Sequence, residues 1–505
     1  MTNRLLSLLL LLLAAVACTT AQAQQRSAKR GLGWDEKSLT MSTSLLDLMS
    51  EGVAWVYNWG VSPKDDAFTS GTRPMEFYPM CWNASFNENT LRQYLIKHPE
   101  TKYLLGFNEP NFSSQSNMTP SSAAKSWERL EKLAAEFSAM PGHTKLKLVA
   151  PALNFSGEKV GGRTWTPYEW LDEFFKQRPD AQVDCLALHC YMNWCGAMTW
   201  FAVDYFYKDV YTAENAKKYP NLVAFLDKYK KANGHFPRMM LTEFCAWEYD
   251  GAITGVDFQI DQMTQKVQQL EKSDLVEGYA WFMANGTATS FPYWSILQNN
   301  RADSPLSTLG KVYVHMSSFD SKKWYTLGER IVAKDYIDAS ADNQAVRLRP
   351  NTDSSNAAPL QVELKGLAWA EYQVELPQVE GGNVECDVTL RLNTKFNHNV
   401  YFYIDGTRVN TSVSVPSTSS QWQDCTFRLA IPSGRHTLRF FNNTGSTLLL
   451  DELMLRADLQ GLESVRADAV SSTASYDLSG RRVSAASASA RSLRIDARTG
   501  RKCIR

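Results

Sequence analysis

Short apolar runs recur along the first three-fifths of the chain, each followed by a stretch with apolar residues at every third or fourth position. The runs open near Arg30, Val53, Phe77, Tyr103, Leu146, Asp184, Arg238 and Gly278. Their mean spacing is about 35 residues, close to the roughly 30-plus residues of a strand–helix unit. Runs such as Leu146–Ala150 and Cys185–Leu188 suit strands covered on both faces. Between them, Thr119-Pro120 caps an expected helix from Ala123 to Met140, with Trp127, Leu130, Leu133 and Phe137 on one face. Thr166-Pro167-Tyr168-Glu169 reads as a capping box opening a helix through Phe175. Residues Leu222 to Lys231 and Phe258 to Leu270 repeat the pattern. Eight strands alternating with helices predict a (β/α)8 TIM barrel over residues 29–325. An open doubly wound sheet is the rival, but no strand is followed by G-x-G-x-x-G.

After about Gly328 the period changes to that of strands. Gln361–Leu364, Tyr372–Leu376, Val400–Ile404 and Thr437–Phe441 alternate or are rich in β-formers. Turn residues separate them at Gly381-Gly382, Asp405-Gly406, Ser433-Gly434 and Asn443-Thr444-Gly445. This texture predicts an antiparallel, jelly-roll-like β-sandwich over residues 329–457. From Ala467 the chain turns rich in Ser, Ala and Arg, and a loosely ordered tail is expected over 458–505.

Composition narrows the functional classes. The 53 basic and 53 acidic residues cancel, so nothing marks a nucleic-acid or anionic-membrane partner. Arg4, the run Leu5–Leu13 and Ala21-Gln22-Ala23 predict an export signal over residues 1–23, and hence an extracellular, cell-surface or periplasmic protein. The Ala15-Val16-Ala17-Cys18 segment is a weaker lipoprotein-type alternative. No segment suits a membrane span. The nine Cys and seven His lack metal-site spacing, so buried thiols or a disulfide are expected in place of a metal.

In a barrel of this kind the chemistry sits where strands end. The fourth strand leads into Asn108-Glu109-Pro110, the sixth into His189-Cys190-Tyr191 and the seventh into Thr242-Glu243-Phe244. Asn58-Trp59, Trp82, Asn154 and Trp281-Phe282 follow the second, third, fifth and eighth. Hydrolysis of a glycosidic bond needs one protonated acid at the leaving oxygen and one carboxylate at the anomeric carbon. Glu109 and Glu243, on strands across the barrel, are the candidate pair. Asn108, Asn58 and Asn154 are candidates for sugar hydroxyls, and Trp59, Trp82 and Trp281 for stacking on sugar rings. His189 and Tyr191 are expected to hydrogen-bond Glu243 and keep it ionised. Burial is expected to hold Glu109 protonated. Trp34 and Trp55 read as core, Asp35 and Glu248 as loop charges, and Asp184 as facing the wrong end of the barrel.

The ordered series Gly33-Trp34, Trp55–Trp59, Tyr78–Asn83, Gly106–Asn111, Val149–Pro151, Leu188–Tyr191, Leu241–Phe244 and Gly278–Phe282 resembles the glycosyl hydrolase catalytic core of glycoside hydrolase family 128. The resemblance covers roughly Lys29 to Asp320. It implies a retaining β-1,3-glucanase, with Glu109 as acid/base and Glu243 as nucleophile. Ile331–Tyr336, Leu367–Tyr372 and Leu450–Leu453 resemble family 6 or 35 carbohydrate-binding modules, with Trp369, Tyr401 and Trp422 as candidate sugar platforms. Lys334 stands where those modules usually carry an acidic residue beside their structural calcium. Tyr476–Val483 and Thr499–Lys502 resemble a worn C-terminal sorting segment. The expectation is a secreted, monomeric endo-type hydrolase of β-1,3-glucan, needing no organic cofactor. The rivals are a hydrolase of another β-glycan, such as cellulose, xylan or mannan, and a non-catalytic glycan-binding protein.

Overall fold

The computed structural model describes residues 24–458, apart from 66, 69–74, 155–156, 192–228, 230–236, 248–254, 287–292, 341–345 and 410–411. Four short strands between 475 and 504 are also described. The export signal expected over 1–23, Glu248 and all but Tyr229 of the helix expected over 222–231 lie outside the described residues.

All eight expected strands form, each opening within two residues of its expected start. They are β1 (Arg30–Gly33), β2 (Trp55–Tyr57), β3 (Glu76–Phe77), β4 (Tyr103–Leu105), β5 (Lys147–Val149), β6 (Cys185–Cys190), β7 (Arg238–Phe244) and β8 (Val276–Trp281). They pair in parallel in the order β3-β2-β1-β8-β7-β6-β5-β4. The two ends of that path meet through a parallel bridge between Met80 and Leu105. There the Cys81 amide donates to the Leu105 carbonyl at 2.9 Å, and the Leu105 amide donates to Pro79 at 2.9 Å. The result is a TIM-like catalytic core.

The strand interiors alternate as the pleat requires. Trp55, Tyr57, Tyr78, Met80, Tyr103, Leu105, Val149, Cys185, Ala187, Met240 and Ala280 form one buried cluster inside the ring. Large rings fit there because other strands give way. A Cβ on Gly31 would stand 2.2 Å from the Trp55 indole, so only glycine lets β1 pass that ring. Trp34 and Trp55 are core, as expected. Neighbours such as Leu32, Val56, Leu104 and Leu148 instead join the larger core under the helices.

Those helices are α1 (Thr43–Met49), α2 (Glu88–Lys97), α3 (Pro120–Ala139), α4 (Pro167–Gln177), α5 (Val256–Lys272) and α6 (Thr308–His315). The Thr119 hydroxyl caps α3 by accepting from the Ser122 amide. The Thr166–Glu169 capping box closes reciprocally at α4. Trp127, Leu130, Leu133 and Phe137 are buried along α3. Cys185 and Cys245 are buried thiols. Among the described residues, no helix is long and apolar enough to cross a membrane.

From Tyr325 the chain builds two further sheets. One runs Tyr325–Thr326, Trp369–Leu376, Gly434–Asn442, His398–Ile404 and Thr407–Arg408. The other runs Val346–Pro350, Leu360–Leu364, Leu448–Arg456, Asn383–Asn393 and Gln423–Pro432. Pairing along both is antiparallel except where Tyr325 and Thr326 join Val374 and Glu375. Phe402 of the first sheet meets Phe427 of the second, ring centroids 5.3 Å apart. The Lys334 ammonium contacts the Asp335 carboxylate at 2.5 Å, placing a protein cation at the position noted from the sequence. The Arg439 guanidinium lies 3.7 Å from the Trp369 ring centroid and covers one face of that candidate platform.

Within the tail, four short strands are described that the sequence reading did not expect. Ser475–Tyr476, Arg482–Val483, Leu493–Ile495 and Lys502–Ile504 pair antiparallel in a four-stranded sheet. Overall composition hid brief β-favouring stretches such as Leu493-Arg494-Ile495 and Lys502-Cys503-Ile504.

Candidate active site

The segment after β4 is woven between the ends of its neighbours. The Asn108 amide donates to the Trp82 carbonyl at 2.9 Å, and the Glu109 amide donates to Ala152 at 2.8 Å. Gly106 permits this close approach, since a Cβ there would stand 2.7 Å from the Val149 carbonyl. Glu109 is held in the left-handed region at φ 41°. That conformation costs a non-glycine residue about 1–2 kcal/mol and persists where surrounding contacts over-determine it. Here both flanking strands do so.

Glu243 reaches the same cleft by a different device. With Met240 inside the ring, strict alternation would send residue 243 toward the helices. The pairing register with β6 shifts between Leu241 and Glu243, and that with β8 between Leu241 and Phe244. This bulge re-aims the side chain. Leu241 and Phe244 stay in the outer core, while Glu243 lines the cleft with Glu109.

The two carboxyl groups meet around one imidazole. An oxygen of each and a ring nitrogen of His189 all lie within 4.8 Å of one another, and all three residues are buried. His189 Nδ1 stands 2.8 Å from Glu109 Oε1 and 3.3 Å from Glu243 Oε2. Its Nε2 pairs with the Thr242 hydroxyl at 3.0 Å. The Tyr57 hydroxyl lies 3.0 Å from Glu243 Oε1, Trp59 donates its indole N–H to the same oxygen at 2.8 Å, and Tyr191 donates to Oε2. Asn154 donates to Glu109 Oε1 at 2.8 Å.

The electrostatics follow from this crowding. Burial pushes the Glu243 carboxyl above its ordinary range. His189 opposes that shift, the Glu109 charge adds to it, and the Tyr191 and Trp59 donors oppose it. The net direction is upward, against the expectation that His189 and Tyr191 keep Glu243 in its ordinary ionised range, because burial outweighs their pull. Burial works against a charged His189, but Glu243 and Glu109 outweigh it and raise the imidazole. Two acidic groups at this range share protons as a unit.

Glu109, His189 and Glu243 have the composition of a cation site. Their surroundings suit a proton network instead. Both carboxylates already face N–H and O–H donors, and His189 turns one nitrogen to both acids.

The cleft holds about 860 Å³ and is also lined by Asn58, Trp59, Trp82, Asn108, Asn154 and Tyr191. The Asn108 side-chain carbonyl is buried and accepts no hydrogen bond among the described residues. Asn58 lines the cleft but its amide nitrogen is committed to Glu36, at 2.6 Å, and to the Ser62 carbonyl. Asn154 likewise spends a side-chain donor on Glu109. Trp281 is a correction. It is wholly buried, its indole N–H donates to the Trp294 carbonyl at 2.8 Å, and it packs edge-on against Phe244. At the end of β8 its side chain points to the helices, and the next residue, Phe282, lines the cleft instead. A strand-end position does not by itself say which face a ring takes.

Sequence reasoning missed Tyr57, which bonds Glu243, and Glu36 and Trp247, which line the cleft. Tyr57 lies two residues along β2 from Trp55, so both point into the ring, and that period-two relation was the available signal. Glu36 is a buried carboxylate that accepts from the Asn58 side chain, the Lys64 amide and the Met41 amide. Its role depends on contacts made across loops, which spacing does not reveal.

Breaking an acetal between sugars asks for two acids at close range but with different proton affinities. Glu109 and Glu243 face each other above the carboxyl ends of parallel strands, an arrangement that suits a glycoside hydrolase. Residues 31–313 match the glycosyl hydrolase catalytic core family, and the chain belongs to it. Alkali-sensitive linkage protein 1 of Schizosaccharomyces pombe is 25% identical over 294 residues, 57% of this chain and 44% of that protein. This chain therefore spans less than half the length of that relative. Among solved structures, a GH128 (subgroup II) endo-beta-1,3-glucanase from Pseudomonas viridiflava is 31% identical. The match covers 57% of this chain and 98% of that one, with a TM-score of 0.43. A GH128 (subgroup II) endo-beta-1,3-glucanase from Sorangium cellulosum is 26% identical over 57% and 97% of the two chains, with a TM-score of 0.41.

Proposed function

We propose that this protein is a secreted, retaining, endo-type β-1,3-glucanase of glycoside hydrolase family 128. The observation that carries the mechanism is the approach of the Glu109 and Glu243 oxygens to within 4.8 Å around His189. Carboxyl groups about 5–5.5 Å apart leave no room for a water between acid and sugar, so the second attacks the anomeric carbon itself. The ordered strand-end motifs support the β-1,3-glucan substrate.

In this reading Glu109 gives its proton to the leaving oxygen while Glu243 bonds to the anomeric carbon. Glu109 then takes a proton from water, which releases the sugar with its configuration restored. Tyr57, Trp59 and Tyr191 surround Glu243 with three donors, and a protonated His189 adds its charge at 3.3 Å, which favours the carboxylate form against the burial that opposes it. Asn154 and His189 orient Glu109. The orphaned Asn108 carbonyl accepts a sugar hydroxyl, since leaving it unpaired costs about 1–3 kcal/mol. Trp59 and Trp82 offer ring faces to the glycan. The two C-terminal sheets form a sandwich resembling a carbohydrate-binding module, and the barrel and sandwich are proposed as separate domains at 29–325 and 329–457.

The test is incubation with linear β-1,3-glucan, cellulose, xylan and mannan, with proton NMR of the first product formed. β-Configured oligosaccharides of mixed length from the β-1,3-glucan are expected. Initial α-anomers would rule out the retaining mechanism, and exclusive cleavage of another glycan would rule out the substrate.

A further inference from the structure

The helix that follows the strand bearing Glu243 is gripped from both sides. On its outer side, Arg347 forms a two-pronged pair with Asp261, Nε to Oδ1 at 2.6 Å and Nη2 to Oδ2 at 2.5 Å. Arg349 does the same to Asp257, with both bonds at 2.5 Å. Arg347 Nη1 also reaches Asp257 Oδ2 at 3.2 Å. Both arginines lie on the strand Val346–Pro350 of the second C-terminal sheet, and both aspartates lie on the first two turns of α5. Forked guanidinium–carboxylate pairs fix geometry as well as charge. Arg347 and Asp261 are 17% and 16% exposed, so that pair is less open to screening than an ordinary surface bridge, while Arg349 at 26% meets the more exposed Asp257.

On its inner side, the same helix holds the backbone directly beyond Glu243. Gln259 is buried, accepts from the Ala246 amide at 3.2 Å and donates to the Ala246 carbonyl at 2.6 Å. Lys266, also buried, donates to the Cys245 carbonyl at 3.0 Å. Residues 245 and 246 thus have side-chain partners on α5 where their strand ends. Gln259 sits between Asp257 and Asp261 in sequence, so the arginine clamp and the grip on Ala246 act on the same turns, with Lys266 further along the helix.

We propose that Arg347 and Arg349, on the sheet region, are positioning residues for Glu243, acting through α5 and its Gln259 and Lys266. The C-terminal sheets then serve the catalytic core as a brace on the strand-seven side, beyond any sugar binding of their own. This rests on the reading of Glu243 as nucleophile. A shift of about 1 Å in a reacting group can lower turnover about 100-fold, so an indirect brace is expected to be worth on the order of tenfold.

The experiment replaces both arginines in the full chain (Arg347→Met with Arg349→Met). It measures kcat and KM on β-1,3-glucan together with hydrogen exchange at the Ala246 amide. Expected are a roughly tenfold fall in kcat with KM nearly unchanged, and exchange at Ala246 faster by on the order of tenfold. Arg347→Lys with Arg349→Lys, which keeps the charges, should recover much of both. Gln259→Met cuts the linkage at its inner end. It should reproduce the loss with the arginines intact, and the triple variant should be no worse than either part, because coupled residues are not additive. Wild-type kcat and unchanged Ala246 exchange in the arginine double variant would overturn the proposal. If the wild type cleaves no β-glucan, the functional reading fails, and the exchange measurement still decides whether the brace exists.

Discussion

The two ends of the parallel ring each hold a glutamate beside tyrosine, one half-buried and one buried, and they do opposite things to it. At the amino-terminal mouth, Glu277 meets Lys147 at 3.0 Å and Arg238 at 2.7 Å, and the Tyr103 hydroxyl donates to it. Burial disfavours the charge there, but the tyrosine and the two cations outweigh it and hold the carboxyl below its ordinary range. At the carboxyl-terminal rim, Glu243 has neutral donors, an imidazole and a second acid, and burial pushes it up. Permanent cations fix a proton equilibrium, whereas neutral donors and titrating neighbours leave it adjustable. The first arrangement locks an ion in place for the fold; the second keeps a proton available for chemistry.

The sharpest contrast is between matched amide substitutions. Glu243→Gln keeps shape and removes the attacking oxygen. Turnover on β-1,3-glucan should fall by on the order of 10⁴-fold or more, with the thermal transition unchanged or raised because a costly buried acid is gone. Retained turnover would remove Glu243 from the mechanism. Glu109→Gln should lose about 10²–10⁴-fold on the polymer, and far less on an aryl glycoside whose leaving group needs no proton. An equal loss on both substrates would deny Glu109 the acid's role.

Glu277→Gln, at the opposite mouth, should reverse the readouts. Activity should stay within about twofold while stability falls by up to about 1 kcal/mol, since the two cations that lose their partner are themselves 42% and 46% exposed. The sign follows from linkage. A carboxyl held low in the fold contributes stability above its unfolded value near 4.5, and that contribution is lost as pH falls through the lower folded value. The gap between wild type and variant should therefore close in acid. Urea midpoints at pH 7 and pH 3 would show it, and a constant gap would count against the ion-pair account.

How much of this was legible in the chain depends on the range of the contact that decides it. Strand starts and capped helices were readable because period and caps are local, as Thr119-Pro120 and Thr166–Glu169 show. Glu109 and Glu243 were readable because strand ends converge in a barrel whatever the loops do. The direction of a ring at a strand end was not, so Trp281 was placed on the wrong side and Phe282 overlooked. The bulge that turns Glu243 inward has no signature in Leu241-Thr242-Glu243. Nor did Glu36 announce itself, since its partners Asn58 and Lys64 come from another loop. The clamp of Arg347 and Arg349 on α5 lay furthest from view, joining residues 86 and 92 apart.

The smallest effect tests the comparison most finely, because it removes one hydroxyl at each end. Tyr57→Phe deletes a donor to Glu243, and Tyr103→Phe deletes one from Glu277. A neutral hydrogen bond contributes about 1 kcal/mol, equivalent to roughly 0.7 of a pH unit. In the proposed mechanism Glu243 must be ionised to attack, so activity in the wild type should be lost as pH falls through its raised value, placing the acid limb above 4.5. Losing Tyr57 makes ionisation harder still, so that limb should move further up by about half a unit or more. Losing Tyr103 should leave the limb in place, since Glu277 takes no part in the reaction. Profiles of kcat/KM against pH for the two variants separate the cases. A limb that moved with Tyr103, or stayed put without Tyr57, would mean that the rim and the mouth differ in position but not in kind.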